Sequence, residues 1–316
     1  MMLLVNFINL NWNGKMKIYK NFNIDKRFQN SVIAIGNFDG IHAGHQKIFN
    51  QAKRLAKTKN IKFGVITFEP IPRAFFKKLK NYRINSINQK ISIMKKSNID
   101  FLIIQKFNKQ FSKIDYLRFI KKNIYLKTKA KYILVSNNFR FGKNREGNIK
   151  KLKKFENNFL YKVKVIKPLK ILNKVISSTK IRNYLKSGNI INANRYLKRN
   201  WTIQGKVIKG MKRGREIGFP TCNINLRDYL IPRLGVYSVD VGLKGSKGFY
   251  KGIANVGYRP TFGVNDINLE VNIFRFNQNL YNKNIRVLFK KFIRPEKKFK
   301  NINELKSQII KDLKKI

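Results

Sequence analysis

The two histidines of this chain, His42 and His45, lie in the stretch Ala34-Ile-Gly-Asn-Phe-Asp-Gly-Ile-His-Ala-Gly-His. Imidazole N–H groups can donate hydrogen bonds to a phosphoryl group that gains charge in a transition state. The stretch also contains glycines that let the backbone approach an anion closely, namely Gly36, Gly40 and Gly44. We call residues 36–45 the histidine loop and expect it to perform phosphate chemistry.

A predicted strand and a predicted helix flank the histidine loop. Val32–Ile35 is a short apolar run, and Gln46–Lys57 has apolar residues at helical spacing. The N-terminus of such a helix offers unpaired backbone N–H groups and the positive end of the helix dipole, which together favour a phosphate. Two surface histidines placed by chance are the alternative, and the coincidence with glycines and a strand-to-helix junction argues against it.

A second segment with phosphate-binding character is Val175–Arg182, which precedes a predicted helix. Ser177 or Ser178 is expected to cap this helix. The basic pair Lys180 and Arg182 is suited to the β- and γ-phosphates of a nucleotide. A plain capped helix explains the same residues, so this segment indicates nucleotide binding only in combination with the histidine loop.

The second half of the chain is rich in glycine between positions 205 and 223. Neither the P-loop pattern nor the dinucleotide-binding glycine pattern occurs there. The glycines can still form a backbone nest around phosphates, with Thr221 and Asn223 supplying oxygens to a Mg²⁺ ion. Turns of a small barrel explain these glycines equally well, and the residues alone leave the two interpretations even.

Two patterns of predicted elements divide the chain. Up to about residue 196, apolar strands alternate with helices, which predicts a parallel sheet covered by helices. The predicted strands are Val32–Ile35, Phe63–Phe68, Phe101–Ile104, Tyr132–Val135 and Val163–Ile166, and the predicted helices include Asn88–Lys96 and Tyr116–Leu126. We therefore expect an α/β domain over residues 16–198.

After Trp201 the strands are short, β-branched or aromatic, and separated by Gly, Asn and Pro, which predicts an antiparallel barrel or sandwich. The predicted strands are Gln204–Ile208, Val236–Val241, Tyr250–Val256, Leu269–Phe276 and Ile285–Phe292, followed by an amphipathic helix over Ile302–Lys314. We expect a second domain over residues 199–316, with each domain burying its own core.

The formal net charge of +55 would by itself suggest a nucleic-acid or membrane partner. The lysines are spread along the whole chain, however, and accompany many Ile, Asn, Phe and Tyr residues, as AT-rich codon usage produces. We therefore expect no specific nucleic acid and no membrane as partner. The single cysteine, Cys222, excludes an internal disulfide, and no run of about 18 apolar residues occurs, so a cytoplasmic protein is expected.

The motifs of the first half resemble the adenylyltransferase module of bacterial bifunctional riboflavin kinase/FAD synthetases, within the wider HxGH nucleotidyltransferases. The resemblance implies a Rossmann-like domain in which His42 and His45 stabilise the α-phosphate of ATP while the FMN phosphate attacks it. Arg182 is implied to hold the leaving pyrophosphate. The other implied nucleotide-binding residues are Gly36, Asn37, Phe38, Asp39, Gly40, Gly44, Asn138, Ser178 and Thr179.

The stretch Gly214-Arg-Glu-Ile-Gly-Phe-Pro-Thr-Cys-Asn223 resembles the motif of the flavokinase module of the same family, a β-barrel with a terminal helix. The resemblance implies that Glu270 accepts the proton of the ribityl 5′-hydroxyl and that Thr221 and Asn223 hold Mg²⁺ with ATP. The implied nucleotide-binding residues are Gly210, Gly214, Arg215, Gly218, Thr221, Asn223 and Asn255.

Several positions depart from the family pattern. Ser136, Asn137 and Asn138 stand where acidic residues are usual, and Ile71 stands where a histidine is usual. In the second half, the departures are Cys222 for alanine, Asn272 for histidine and Arg275 for aspartate.

We predict that the second domain phosphorylates riboflavin to FMN and that the first adenylylates FMN to FAD, releasing pyrophosphate, both with ATP and Mg²⁺. The alternatives are an enzyme that retains only the kinase and a basic RNA-binding protein on the same scaffold. The oligomeric state stays open.

Overall fold

The structure is a computed structural model, and it describes residues 16–171, 173–209, 218–226, 229–243, 245–246, 248–261 and 264–315. Three of the nucleotide-binding residues implied by the flavokinase resemblance, Gly210, Gly214 and Arg215, lie outside the described residues.

The first half contains a six-stranded parallel sheet, which confirms the expected α/β architecture. The strands are β1 (Lys17–Tyr19), β2 (Val32–Ile35), β3 (Phe63–Glu69), β4 (Phe101–Lys106), β5 (Tyr132–Ser136) and β6 (Lys162–Ile166). Their order in the sheet is β1-β4-β3-β2-β5-β6. All five predicted strands are present, and only the three-residue edge strand β1 was not predicted.

Strand β2 consists of apolar residues only, which suits its position in the centre of the sheet. All four of its residues are buried, because strands β3 and β5 flank it and helices cover the sheet. The carboxyl end of β2 leads directly into the histidine loop, so this loop lies at the sheet edge where ligands of parallel α/β folds bind.

Helices follow most of the strands. They are α1 (Ala43–Thr58), α2 (Pro72–Phe76), α3 (Ile87–Lys96), α4 (Lys109–Ser112), α5 (Tyr116–Arg118), a π-helix (Phe119–Thr128), a 3-10 turn (Lys143–Arg145), α6 (Ile149–Lys154), α7 (Ser178–Lys186) and α8 (Ile190–Leu197). Helix α1 begins three residues before its predicted start, because His42 caps it. The predicted helix Tyr116–Leu126 corresponds to α5 and the π-helix together.

The second half forms a closed antiparallel barrel, as expected. A two-stranded hairpin, β7 (Lys170–Ile171) and β8 (Lys174–Val175), precedes it. The barrel strands are β9 (Thr202–Ile208), β10 (Thr221–Asn225), β11 (Gly235–Leu243), β12 (Phe249–Thr261), β13 (Val264–Ile273) and β14 (Asn284–Arg294), and the terminal helix is α9 (Ile302–Leu313). The strand order in the barrel is β10-β13-β12-β11-β14-β9. Strand β10 was not predicted, and β13 ends at Ile273 rather than Phe276.

The first half has its own buried clusters on its parallel sheet, and a further apolar cluster runs from α7 and α8 into the barrel. Helices α7 and α8 pack in the same buried cluster as Trp201 and the barrel strands. The Trp201 indole also donates a 2.8 Å hydrogen bond to the carbonyl oxygen of Ile84 in the first half. The predicted boundary at 198/199 therefore crosses a continuous apolar interface, and the domain limits stay a prediction.

None of the described helices combines the length and the apolar character that a bilayer span requires.

Candidate active sites

His42 and His45 lie against each other at the first turn of α1. The Nδ1 atom of His42 accepts a 3.4 Å hydrogen bond from the backbone N–H of His45 and so caps the helix. The two rings stack with centroids 3.6 Å apart. A Cβ atom at Gly44 would lie 3.2 Å from the His42 ring, so a larger residue at this position would crowd that ring.

Both histidines are neutral near pH 7. Burial lowers the pKa of His42 to about 4, and the positive charges of Arg199 and Arg182 add to this shift. Burial also holds the pKa of His45 well below 6.5, reinforced by His42, Lys90 and Arg199. Because Nδ1 of His42 accepts a hydrogen bond, its single ring proton must lie on Nε2. The ring therefore offers one N–H donor without adding positive charge.

Ser178 and Arg182 of the second segment contact Asp39 of the histidine loop. Arg182 forms a salt bridge through Nη2 with the Asp39 carboxylate and donates from Nε to the carbonyl of Tyr82 at 3.0 Å. The Ser178 hydroxyl donates to the backbone carbonyl of Asp39 at 2.8 Å. Ser177 accepts from the N–H of Lys180 and is the helix cap, which decides between the two serines considered from the sequence.

The carboxylate of Asp39 is almost completely buried. Burial raises its pKa, while the neighbouring Arg182 and Lys90 charges oppose that rise. Its other oxygen accepts from the backbone N–H of Ile84 at 3.3 Å. Asp39 therefore connects the histidine loop to both α7 and the segment before α3.

The remaining predicted residues of this site occupy different environments. Phe38 is buried and packs edge-on against the His45 ring at 5.2 Å, and Gly40 has a positive φ of 80°. The side chain of Asn37 is exposed, and its backbone carbonyl accepts from Thr67 at 3.0 Å. Thr179 is exposed.

Asn138 is also exposed and accepts a 2.9 Å hydrogen bond from Ser136. It lies after β5, which pairs with β2, so it belongs to the same edge of the sheet as the histidine loop.

Sequence reasoning did not identify Lys90, which lies buried in this site. Its ammonium group donates to Thr67 Oγ1 at 2.8 Å, and only 5% of the residue is exposed. Burial lowers the pKa of Lys90, while the carboxylates of Glu69 and Asp39 counter the shift. Lysine is so frequent in this chain that a lysine inside a helical pattern carried no signal.

Sequence reasoning also missed Arg199, between α8 and β9. Its guanidinium donates to backbone carbonyls of the histidine loop. From the first turn of α1, Gln46 donates a 3.1 Å hydrogen bond to one of these carbonyls, that of Ile41.

The register of three neighbouring strands builds the site in the barrel. Glu270 on β13 pairs directly with Asn223 on β10 and with Asn255 on β12. Residues directly opposite each other in antiparallel strands project to the same face. The structure therefore brings together three of the predicted kinase residues in one row across the sheet.

Residues two positions away along the same strands extend this row. Thr221 pairs with Asn272, whose side-chain amide donates to the carbonyl of Pro220 at 2.7 Å. Gly218 has a positive φ of 84° just before these residues. Cys222 is partly buried, and burial raises the pKa of its thiol to about 12, which excludes a thiolate nucleophile near neutral pH.

Asn268 is a further residue of the barrel site that the sequence did not indicate. It is 5% exposed and its amide donates to Asn223 Oδ1. Its own Oδ1 atom is buried and has no hydrogen-bond partner among the described residues. The face that carries Glu270 thus holds several side-chain oxygens close to one another.

Two family models match successive parts of the chain. A family model described as FAD synthetase matches residues 24–180, and one described as riboflavin kinase matches residues 197–316.

Three curated relatives share the description "Bifunctional riboflavin kinase/FMN adenylyltransferase". The protein from Buchnera aphidicola subsp. Schizaphis graminum is 40% identical, with 92% of this chain and 94% of that protein covered. The Haemophilus influenzae protein is 35% identical, with 92% and 94% covered. The Bacillus subtilis protein is 36% identical, with 89% and 90% covered.

A solved structure shares the arrangement of the whole chain. It is a crystal structure from Streptococcus pneumoniae described as a macrolide-efflux protein, with a TM-score of 0.83 and 30% identity, and it covers 95% of this chain and 98% of that one.

Proposed function

The chain belongs to the family of bifunctional riboflavin kinase/FMN adenylyltransferases, and we propose that the histidine loop performs its adenylyl transfer and the barrel row its riboflavin phosphorylation. The substrates are then ATP with riboflavin in one reaction, and ATP with FMN in the other. The first reaction gives FMN and ADP, and the second gives FAD and pyrophosphate. A cytoplasmic location would suit these substrates.

One observation carries the first assignment: two neutral, stacked histidines at a helix N-terminus, beside an arginine held by a buried carboxylate. In adenylyl transfer an FMN phosphate oxygen attacks the α-phosphorus of ATP, and the bond to pyrophosphate breaks. Negative charge grows on the α-phosphate oxygens, and the Nε2–H of the neutral His42 ring can donate a hydrogen bond to them. Arg182 lies next to this loop and can turn from Asp39 toward the leaving pyrophosphate.

The cross-strand row supports the second assignment. A riboflavin 5′-hydroxyl attacks the γ-phosphorus of ATP, ADP leaves, and the hydroxyl proton passes to the carboxylate of Glu270. The exposed position of Glu270 leaves it accessible to a substrate, and its neighbours Asn223 and Asn255 flank it on both sides.

The oxygen donors of the barrel row suit a Mg²⁺ ion, which prefers hard oxygen ligands and phosphates. Thr221 and Asn223 would hold the ion. Oδ1 of Asn268 lies beside Asn223 and accepts no hydrogen bond from any described residue, which supports a polar ligand at this position. Bound there, Mg²⁺ would neutralise charge on the ATP phosphates. Among the described residues no group of three His, Cys, Asp or Glu side chains forms an alternative metal site.

The two alternatives from the sequence have less support. A kinase-only enzyme does not need the buried contacts among Asp39, Ser178 and Arg182 that join two distant motifs at the histidines. An RNA-binding protein does not need the register that places Glu270 between two asparagines.

The test is product analysis by HPLC with the purified chain, ATP and Mg²⁺. Riboflavin should give FMN and then FAD, and supplied FMN should give FAD. Formation of FMN without FAD would favour the kinase-only enzyme, and no conversion of either flavin would contradict both assignments.

A further inference from the structure

Arg199 lies in the segment between the two halves and contacts the histidine loop with both Nη atoms of its guanidinium group. Nη2 donates to the carbonyl of Gly40 and to Asn85 Oδ1. Nη1 donates at 3.1 Å to the carbonyls of Ile41 and Leu197. Four hydrogen bonds thus join the histidine loop, the segment before α3 and the end of α8.

The two loop carbonyls that Arg199 binds belong to residues in an unusual backbone conformation. Gly40 has a φ of 80°, and Ile41, a β-branched residue, has a φ of 39°. Such a conformation is costly for isoleucine and persists only where surrounding contacts hold it. Ile41 directly precedes His42, so the direction of its peptide sets the position of the His42 ring.

Gln46 repeats part of this pattern from the other side. Its amide donates to two of the four acceptors of Arg199, the carbonyls of Ile41 at 3.1 Å and Leu197 at 3.2 Å. Gln46 does not bind the carbonyl of Gly40, which accepts a hydrogen bond from Arg199. A planar guanidinium can bind several acceptors at fixed angles, whereas a lysine ammonium cannot reproduce that geometry.

The segment itself is anchored without Arg199. The backbone N–H of Trp201 donates to Asn194 Oδ1, its indole donates to the carbonyl of Ile84, and its carbonyl accepts from Phe289. The Trp201 ring is completely buried. Loss of the Arg199 hydrogen bonds therefore leaves the connection between the halves in place.

We propose that Arg199 is a positioning residue for adenylyl transfer, which holds the Gly40–Ile41 backbone so that the imidazole of His42 points its N–H at the reacting phosphate. The proposal rests on the function assigned above to the histidine loop. It places part of the adenylyl-transfer machinery outside the first domain predicted from the sequence, in the segment that leads into the barrel.

The charge of Arg199 has a separate consequence that an experiment can distinguish from geometry. The charged groups that act on His42 are Arg199 and Arg182, and those that act on His45 are Lys90 and Arg199, together with His42 itself. Removing the positive charge at 199 should raise the pKa of His42, whereas lysine at 199 should leave it low. The chain has only these two histidines, so NMR of the ring nitrogens can follow each.

The test compares the full-length variants Arg199→Lys and Arg199→Gln with wild type, with Arg195→Gln as the matched control. Arg195 lies one turn earlier on the exposed side of α8. For Arg199→Lys, kcat of FAD formation from FMN should fall roughly 10- to 100-fold with little change in the KM for ATP, because the histidines are misplaced rather than the nucleotide lost. Phosphorylation of riboflavin should stay within twofold, and Arg195→Gln should match wild type in both reactions.

Arg199→Gln should show the same loss of kcat and, in addition, a raised pKa of His42. An Arg199→Lys variant with wild-type kcat for FAD formation would overturn the proposal. So would an equal loss of both activities in Arg199→Lys, since that result indicates a structural role only. If wild type itself makes no FAD, the assignment of the histidine loop fails, and the pKa of His42 in Arg199→Gln still reports whether the charge of Arg199 acts on the His42 ring.

Discussion

The two sites of this chain are held by different kinds of interaction. At the histidine loop, residues distant in sequence meet through buried charged contacts: Asp39 and Arg182 are 143 positions apart, and Gly40 and Arg199 are 159 positions apart. In the barrel, Glu270 and its two asparagine neighbours are placed by the backbone ladder of adjacent strands. Side chains hold the first site in shape, while the backbone holds the second.

This difference predicts different responses to substitution. Removing one partner of a buried charged contact leaves the other unpaired, which costs both structure and activity. Replacing a side chain on a strand face leaves the ladder intact, so the reaction can be lost without the fold.

Glu270→Gln should lower riboflavin phosphorylation by roughly 10²- to 10⁴-fold, because glutamine keeps the shape of the side chain but cannot accept the proton. The urea midpoint and FAD formation from supplied FMN should match wild type. Steady-state assays of both reactions test this. A fully active kinase in this variant would exclude Glu270 as the general base.

His42→Ser should lower FAD formation by roughly 10²- to 10³-fold, the usual effect of losing one positioned donor. Serine still caps α1, so the fold should be retained. Riboflavin phosphorylation, measured in the same preparation, serves as the internal control. An equal loss of both activities would show that the histidines do not belong to one reaction.

Asp39→Ala should destabilise the protein by about 3–5 kcal/mol. The variant removes the buried carboxylate that pairs with Arg182 and accepts from the N–H of Ile84, and both groups stay buried without it. The matched change in the barrel is Asp240→Ala, which removes a 3.0 Å ion pair with the partly exposed Lys290. That change should cost less than about 1 kcal/mol. Urea unfolding of both variants compares them, and similar costs would remove the contrast between the two halves.

The pH dependence of stability should include a contribution from the histidine loop, where both histidines lie. The pKa of His42 is about 4 in the folded protein and 6.5 as the ordinary value, so the unfolded chain binds the proton first. The free energy of unfolding should therefore fall as pH decreases below 6.5, by about 2 kcal/mol at pH 5 for this residue. His42→Ser should lose that share of the dependence, as urea unfolding at pH 7.5 and pH 5 can measure. An unchanged dependence would mean that His42 is not held neutral by burial.

Much of the fold follows from local patterns in the sequence. An apolar run such as Val32–Ile35 predicts a parallel strand because a strand of this kind is buried on both faces, as β2 is. Strand β10 was missed because its residues Thr221–Asn225 are mostly polar and are held by pairing with β9 and β13 rather than by their own propensity.

The candidate sites were only partly predictable for a related reason. Motifs with rare residues, such as His42 and His45, stand out in a chain with two histidines. Lys90 and Arg199 do not stand out among 70 lysines and arginines, and their contacts depend on tertiary packing that no local period encodes.

The central claim is that two independent sites act in sequence on one flavin, and mixing two inactive variants tests it most directly. With riboflavin, ATP and Mg²⁺, purified His42→Ser should stop at FMN, and purified Glu270→Gln should form neither FMN nor FAD. The two variants together should form FAD, because FMN released by the first is adenylylated by the second. A mixture that forms no FAD, although His42→Ser accumulates FMN and Glu270→Gln is folded, would contradict the assignment of separate sites.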